Sequence, residues 1–323
     1  MKTLILHVGL HKTGTTFLQK ALRDNRALLL QHDIDLASGF DPHRGNHHRL
    51  TRTLRKDGRP DDILSAIEET HASAVIISSE TLMPWLLASK DRTFEFANEL
   101  KTSCNLRIVI FLRRQDFLKE SIFAEVVCKW FLGSILDEDH YQYDFGTTLG
   151  LLENLFGRNA IGISVYRDDT ENDLLKEFLR CAEIGIDPGE FSLPEPQRVS
   201  LTRRKVLALT QLDKRHHTAR TVVESVRQCH AIADDGQKFL MSPAQRRDFL
   251  ARFVASNRLI TQHFNLDCGD YLYDLESIPE DWVPPQPIAP EEWAQLLLRV
   301  ADDATSLERL RRARRNATAP DQE

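Results

Sequence analysis

Residues 3–16 read TLILHVGLHKTGTT. The first part, TLILHVG, is a nearly continuous apolar run closed by glycine, the pattern of a strand buried on both faces of a parallel sheet. The residues that follow, TTFLQKALRDNRALLLQ (15–31), place apolar side chains at helical spacing. The stretch therefore predicts a strand, a glycine-bearing loop and a helix. Three more apolar runs, ASAVIISS (72–79), LRIVIFL (106–112) and AIGISVY (160–166), each lead into a helical stretch. Strands alternating with helices predict an α/β fold, a parallel sheet covered by helices on both faces. In such sheets ligands sit beyond the carboxyl ends of the strands, so candidate residues are weighed by whether they lie there.

Beyond about residue 190 no comparable strand is found. SLTRRKVLALTQLDKRHH (200–217), SPAQRRDFLARFVASNRLITQHF (242–264) and EEWAQLLLRVADDATSLERLRRARR (291–315) all carry helical spacing, and VPPQPIAP (283–290) reads as an extended linker or surface loop. The expected organisation is a core over 1–190 and a helical carboxyl-terminal part over 191–323, packed on the same domain. With 323 residues, 41% of them hydrophobic, the chain can bury a sizeable core. A formal net charge of -6 argues against a general nucleic-acid binder, so any anion site must be local. Cys104, Cys128, Cys181, Cys229 and Cys268 lie far apart without metal-ligand spacing and read as buried free thiols. No apolar run approaches the roughly 20 residues of a membrane span, and no secretory pattern is evident, so the expectation is a soluble, cytoplasmic protein.

The loop has the makings of an anion cradle. Amides at a helix amino terminus point outward unpaired, and the aligned peptide dipoles add positive potential. Lys12 adds a full charge, Thr13, Thr15 and Thr16 add hydroxyl donors, and Gly9 and Gly14 let the backbone turn. The Walker A pattern places its lysine directly after the second glycine; here Lys12 precedes Gly14 by two positions.

The segment HKTGTT (11–16) resembles the 5′-phosphosulfate loop of the sulfotransferases that use 3′-phosphoadenosine 5′-phosphosulfate (PAPS). RRQDFLKES (113–121) resembles that family's 3′-phosphate motif, an arginine at a strand end and a serine eight residues later, here Arg113 and Ser121. Arg114 is off that spacing and reads as an ion-pair residue, with Asp116 or Glu120. ISVYRDDTENDLLKEFLRCAEIGI (163–186) is similar to a further family segment and keeps its tyrosine at Tyr166. The resemblance covers residues 1 to about 190 with gaps. It implies an α/β fold with a three-layer, P-loop-like parallel sheet flanked by helices and a helical carboxyl-terminal extension, PAPS as donor, 3′,5′-adenosine bisphosphate (PAP) as product and no metal. It also implies His11 and the loop residues around the 5′-phosphosulfate, and Phe17 on the adenine, a position that suits a core phenylalanine equally well. The loop that closes over the 3′-phosphate in cytosolic relatives has no counterpart; Arg198 and Arg203 are the candidates to replace it.

The implied reaction is an in-line sulfuryl transfer to a hydroxyl or amine, with Lys12, Thr15 and Thr16 stabilising charge on the leaving phosphate. A hydroxyl acceptor also needs a base. Glu80, which ends VIISSE (75–80) at the carboxyl end of a predicted strand, is the first candidate; His47 and His48 are the second, against the alternative of a surface histidine pair. Trp85, Trp130, Tyr141 and Tyr143 could line an acceptor pocket or simply belong to the core. DEDH (137–140) reads as a solvated loop and RLRRARR (309–315) as an exposed helix face. The acceptor is a small molecule, glycan or lipid, and neither it nor the oligomeric state is legible. A P-loop kinase and a nucleotide-binding protein without catalysis stay open as alternatives; the first would need a magnesium-binding Ser or Thr after the loop lysine.

Overall fold

The computed structural model describes residues 1–57, 60–130, 134–137, 141–167, 173–195, 200–212 and 219–317. The chain divides into two compact units, each assembled from three stretches: 1–118, 142–198 and 249–277 in the first, and 119–141, 199–248 and 278–323 in the second.

The first unit holds a parallel sheet of five strands among the described residues: β1 (Thr3–Gly9), β2 (Ile34–Leu36), β3 (Ala74–Ser78), β4 (Asn105–Arg113) and β5 (Ile161–Tyr166), in the order β2-β3-β1-β4-β5. Four of these coincide with the apolar runs. Their β-branched, two-sided hydrophobicity suits strands covered by helices on both faces. β1 is central, and six of its seven residues are buried. Its helices are α1 (Thr15–Asp24), α2 (Arg26–Gln31), α3 (His48–Asp57), α4 (Asp61–Glu68), α5 (Leu82–Ala88), α6 (Lys90–Ser103), the start of α7 (Gln115–Trp130), α8 (Phe145–Phe156) and α9 (Leu174–Ala182). Ile5, Ile76, Val109 and Phe111 pack against Leu18, Leu22, Leu29 and Phe178 of α1, α2 and α9, while α5, α6 and α8 lie against the strands as well.

Two features depart from the sequence reading. The helical run 15–31 is split at Asn25. That buried side chain donates to the carbonyls of Ala21 and Ser192 and accepts from Ser192 N–H, all at 2.8 Å, so the helix yields to a long-range backbone clasp. β2 was not expected: it has three residues, too few for a periodicity signal.

The second unit contains α10 (Arg203–Gln211), α11 (Ala219–Gln228), most of α12 (Pro243–Ala251) and α14 (Pro290–Ala317); α13 (Val254–Phe264) belongs to the first. Phe123, Val127, Val206, Leu209, Val222, Val226, Met241, Leu296 and Val300 form its core. Residues 281–289, which include most of the proline-rich stretch, have no regular structure. Among the described residues no helix is long and apolar enough to cross a membrane. All five cysteines are free thiols, four of them buried and Cys128 half-buried.

Candidate active site

Because β3 pairs with one edge of β1 and β4 with the other, the chain connections diverge on either side of β1. A crevice at the carboxyl end of β1 is the expected ligand position in such a sheet. Three candidate elements end there: the loop after β1, Glu80 just after β3, and Arg113 as the last residue of β4. The pairing of β1 with β4 slips between His7 and Gly9, a bulge that bends the strand as it enters the loop.

Each glycine of the loop answers a close approach. Gly9 has φ 105°, and a Cβ there would stand 3.0 Å from the Glu80 Cβ. Gly14 has φ 73°, and a Cβ there would stand 2.5 Å from Leu174 Cδ2 and 3.2 Å from Tyr166 Cε2. Gly14 also begins α1 without any side-chain cap. Its carbonyl takes the N–H groups of Phe17 and Leu18 at 2.9 and 3.2 Å, which leaves the Thr15 and Thr16 amides as the outward donors of the first turn.

Lys12 is half-buried and left-handed, with φ 64°. Arg113 Nη1 donates to the Lys12 carbonyl at 2.8 Å, and the guanidinium stands 5.4 Å over the Tyr166 ring. The two cations predicted from separate motifs are thus brought to one loop. Thr13 is fully buried and its hydroxyl donates to the Leu10 carbonyl at 2.7 Å, so its part is to shape the loop. Thr15 is buried, Thr16 exposed, and His11 half-buried. Phe17 rests partly buried against the core of the first unit. Ser121 is half-buried on α7, in the stretch that belongs to the second unit.

The histidine pair is not a surface pair. His47 is fully buried: its backbone N–H donates to the Ser78 carbonyl at 2.9 Å, its Nδ1 accepts from Ser78 N–H at 3.1 Å, and its Nε2 lies 3.2 Å from the Ala37 carbonyl. Nδ1 accepts, so Nε2 carries the proton and the ring is neutral. Burial pushes its pKa down to about 4, outweighing the hydrogen bonds to Ala37 and Ser78. His47 ties β2 to the end of β3. His48, by contrast, reaches the site, with Nε2 3.3 Å from Glu80 Oε1 and Nδ1 2.9 Å from Ser79 Oγ. Ser79 Oγ in turn lies 3.0 Å from Thr51 Oγ1 and 2.9 Å from Thr81 Oγ1.

Glu80 is largely buried, with 14% of its side chain exposed. Burial alone would raise its pKa; the hydrogen bond and charge of His48, with His11 contributing, more than offset this and hold it at about 2. The carboxylate is therefore ionised throughout the ordinary pH range.

Gln19 is a residue that the motif reading missed. It is 2% exposed, and its Nε2 donates to Glu80 Oε2 at 2.9 Å and to Ser78 Oγ at 3.2 Å. A signal for it exists in the sequence: it is a polar residue on the apolar stripe of α1, beside Leu18 and Leu22. His7 is a similar polar interruption of β1, fully buried, with Nδ1 2.8 Å from Ser78 Oγ.

Other candidates lie elsewhere. Arg203 is 3% exposed and is engaged by Asp235 at 2.7 Å and by the carbonyls of Phe239 and Val283, so its guanidinium is a structural group of the second unit. Arg198 lies outside the described residues. Arg114 forms the expected pair with Asp116, through two hydrogen bonds at 2.8 and 3.0 Å, but it is buried. Trp85 packs edge-on against Phe96, and Tyr143 against Phe249, so both are core residues; Tyr141 is half-buried. The side chains of Trp130 and of 309–315, and residues 138–140, lie outside the described residues. A cleft of about 500 Å³ opens at the amino ends of β1, β3 and β4, lined by Thr3, His32, Arg107 and Glu183 among others. It is at the opposite edge of the sheet from the loop.

No family model matches the sequence, and no curated protein matches it. A solved structure that it resembles is a sulfotransferase from Alicyclobacillus acidocaldarius, with a TM-score of 0.49 and 14% identity, covering 84% of this chain and 99% of that chain.

Proposed function

We propose that the chain is a PAPS-dependent sulfotransferase. The observation that carries this reading is the contact of Arg113 with the Lys12 carbonyl, which sets a guanidinium against an uncapped helix start and a lysine at the switch point of a parallel sheet. PAPS carries anions at both ends of its ribose, and a lysine and an arginine belonging to one loop and the strand end bonded to it suit one such ligand. In this reading Lys12 and the amides of Thr15 and Thr16 bind the 5′-phosphosulfate and stabilise the negative charge that grows on the bridging oxygen. Arg113 binds the 3′-phosphate. The sulfuryl group passes in line to an acceptor hydroxyl, whose proton must be removed.

Between the two base candidates the geometry favours a division of labour. A carboxylate with a pKa of about 2 is a weak proton acceptor, whereas imidazole is the side chain suited to proton transfer near neutrality. Glu80 orients the His48 ring through Nε2, and Nδ1 is released when the Ser79 hydroxyl turns to Thr51 or Thr81. Glycans, lipids and small alcohols are the acceptor classes to try.

The test is thermal unfolding in the presence of PAP, of ATP with magnesium, and of neither, because a ligand specific for the native state raises the midpoint. Stabilisation by PAP well beyond that by ATP is the expected result. A larger effect of ATP favours a kinase, and no effect of PAP ends the proposal. Transfer of labelled sulfate from PAPS to an acceptor panel then separates an enzyme from a silent binder.

A further inference from the structure

Below the loop, a chain of buried polar groups runs from β1 to the Glu80–His48 pair: His7 Nδ1 to Ser78 Oγ at 2.8 Å, Ser78 Oγ to Gln19 Nε2 at 3.2 Å, Gln19 Nε2 to Glu80 Oε2 at 2.9 Å, and Glu80 Oε1 to His48 Nε2 at 3.3 Å. The proton positions along it follow from one fact. An ionised carboxylate only accepts, so the Gln19 group facing Glu80 must be its NH₂. That same NH₂ supplies its second proton to Ser78 Oγ, so the Ser78 hydroxyl proton is left to donate to His7 Nδ1. His7 is then the neutral tautomer protonated at Nε2, in agreement with the low pKa that burial gives it, about 4. The Gln19 amide is thus the point of divergence, donating toward Glu80 on one side and toward Ser78 and His7 on the other.

We infer that Gln19 is a positioning residue. It clamps one oxygen of Glu80 while His48 holds the other, and so fixes both members of the proton-transfer pair with respect to the loop. Its placement is well suited to this. Gln19 stands on α1, the helix that begins at the loop, and its amide is anchored from behind by Ser78 and His7, which belong to the two central strands. The depressed pKa of Glu80 depends on His48 staying within reach, and without the clamp the carboxylate is free to turn about its side-chain torsions. The inference gives Gln19 a part in the transfer proposed above and rests on that reading for its catalytic meaning; the geometry it asserts can be measured without any ligand.

The experiment is carbethoxylation of the full-length chain by diethyl pyrocarbonate at pH 7, followed residue by residue by mass spectrometry. In the native protein both ring nitrogens of His48 are engaged, and His7 and His47 are buried. Gln19→Met keeps the side-chain length and removes both hydrogen bonds. The expected result is an increase of about fivefold in the His48 rate, the factor that one lost hydrogen bond represents, with His7 and His47 unchanged. Gln19→Leu, a second apolar replacement that removes both hydrogen bonds, is expected to raise the His48 rate as much. Unchanged His48 reactivity in both variants overturns the inference. So does a parallel rise at His7, His47 and His48, which would make Gln19 a determinant of global stability only. PAP binding, measured on the same proteins, is expected to differ by less than about twofold between wild type and Gln19→Met. Absence of PAP binding in the wild type removes the proposed function and leaves the clamp standing, so the two failures are distinguishable.

Discussion

Moderate acid should weaken this protein through two buried histidines, His7 and His47. Each has its pKa pushed from 6.5 to about 4 in the folded chain, with burial as the largest cause. The sign follows from which state binds the proton. Below pH 6.5 the unfolded chain takes up protons that the folded chain refuses, so stability falls as pH falls, and the loss levels off near pH 4. A shift of this size amounts to about 3 kcal/mol per histidine in the limit and about 2 kcal/mol at pH 5. Together the pair should cost about 4 kcal/mol between pH 7 and pH 5, a large part of an ordinary folding stability. His7→Phe isolates half of the effect. The ring already sits edge-on to Phe111 and Phe178 at 5.7 and 5.9 Å, its Nε2 has no hydrogen-bond partner among the described residues, and Ser78 Oγ keeps Gln19 as a partner after the change. Urea unfolding at pH 7, 6 and 5 should therefore show the stability loss of the variant reduced to about half that of the wild type. A wild-type stability that is flat over this range, or a slope that His7→Phe leaves intact, would refute the account.

Glu80→Gln should remove a stabilisation with the opposite titration origin: with a folded pKa of about 2 against 4.5, the carboxylate contributes above pH 4.5 and its contribution is lost as pH falls toward 2. The difference in urea stability between wild type and variant is thus expected to be about 3 kcal/mol at pH 7 and to shrink below pH 4.5; a pH-independent difference counts against the assignment. Gly14→Ala adds left-handed strain to a contact with Leu174, and a loss of about 2–3 kcal/mol in urea unfolding is expected, with the steric part recovered in a Leu174→Ala background. A loss below about 0.5 kcal/mol would mean the loop shifts freely at this point. Lys12→Ala should abolish sulfuryl transfer while leaving the fold intact, whereas Arg113→Ala should weaken PAP by at least about tenfold; calorimetric titration decides, and equal PAP affinity in wild type and Arg113→Ala removes Arg113 from the site.

The parts of the fold that could be read from the chain were those whose signal is local. β1, β3, β4 and β5 are two-sided apolar strands, and burial on both faces writes itself into consecutive residues. The loop was legible because glycine, lysine and threonine do different jobs within six positions. Partners thirty or more positions apart were not. Nothing near residue 47 says that its ring will complete the hydrogen bonding of Ser78, or that its neighbour His48 will face Glu80; both outcomes are set by where β3 ends. Arg203 looked available because an arginine shows its charge and not its counterion, and Asp235 lies on a distant loop. Asn25 interrupts a good helix for the sake of Ser192, 167 residues later.

The loop and the carboxylate–histidine pair meet for a steric reason and are compatible for an electrostatic one. A side chain at position 9 would push against Glu80 Cβ at 3.0 Å, so glycine allows the end of β3 to stand directly beside the loop. That closeness brings a negative charge next to the loop proposed here as an anion cradle, an arrangement that would oppose ligand binding if left uncompensated. His48 and His11 are groups that lower the pKa of Glu80, with His48 Nε2 3.3 Å from one carboxylate oxygen, while Gln19 donates to the other without adding charge. Placing the pair one residue further from β1 would avoid the repulsion, but in the proposed reaction it would also take the imidazole away from the acceptor. Tolerating a charged carboxylate at the rim of an anion site makes sense where that carboxylate must orient a base, and a pure binding loop would have no use for it.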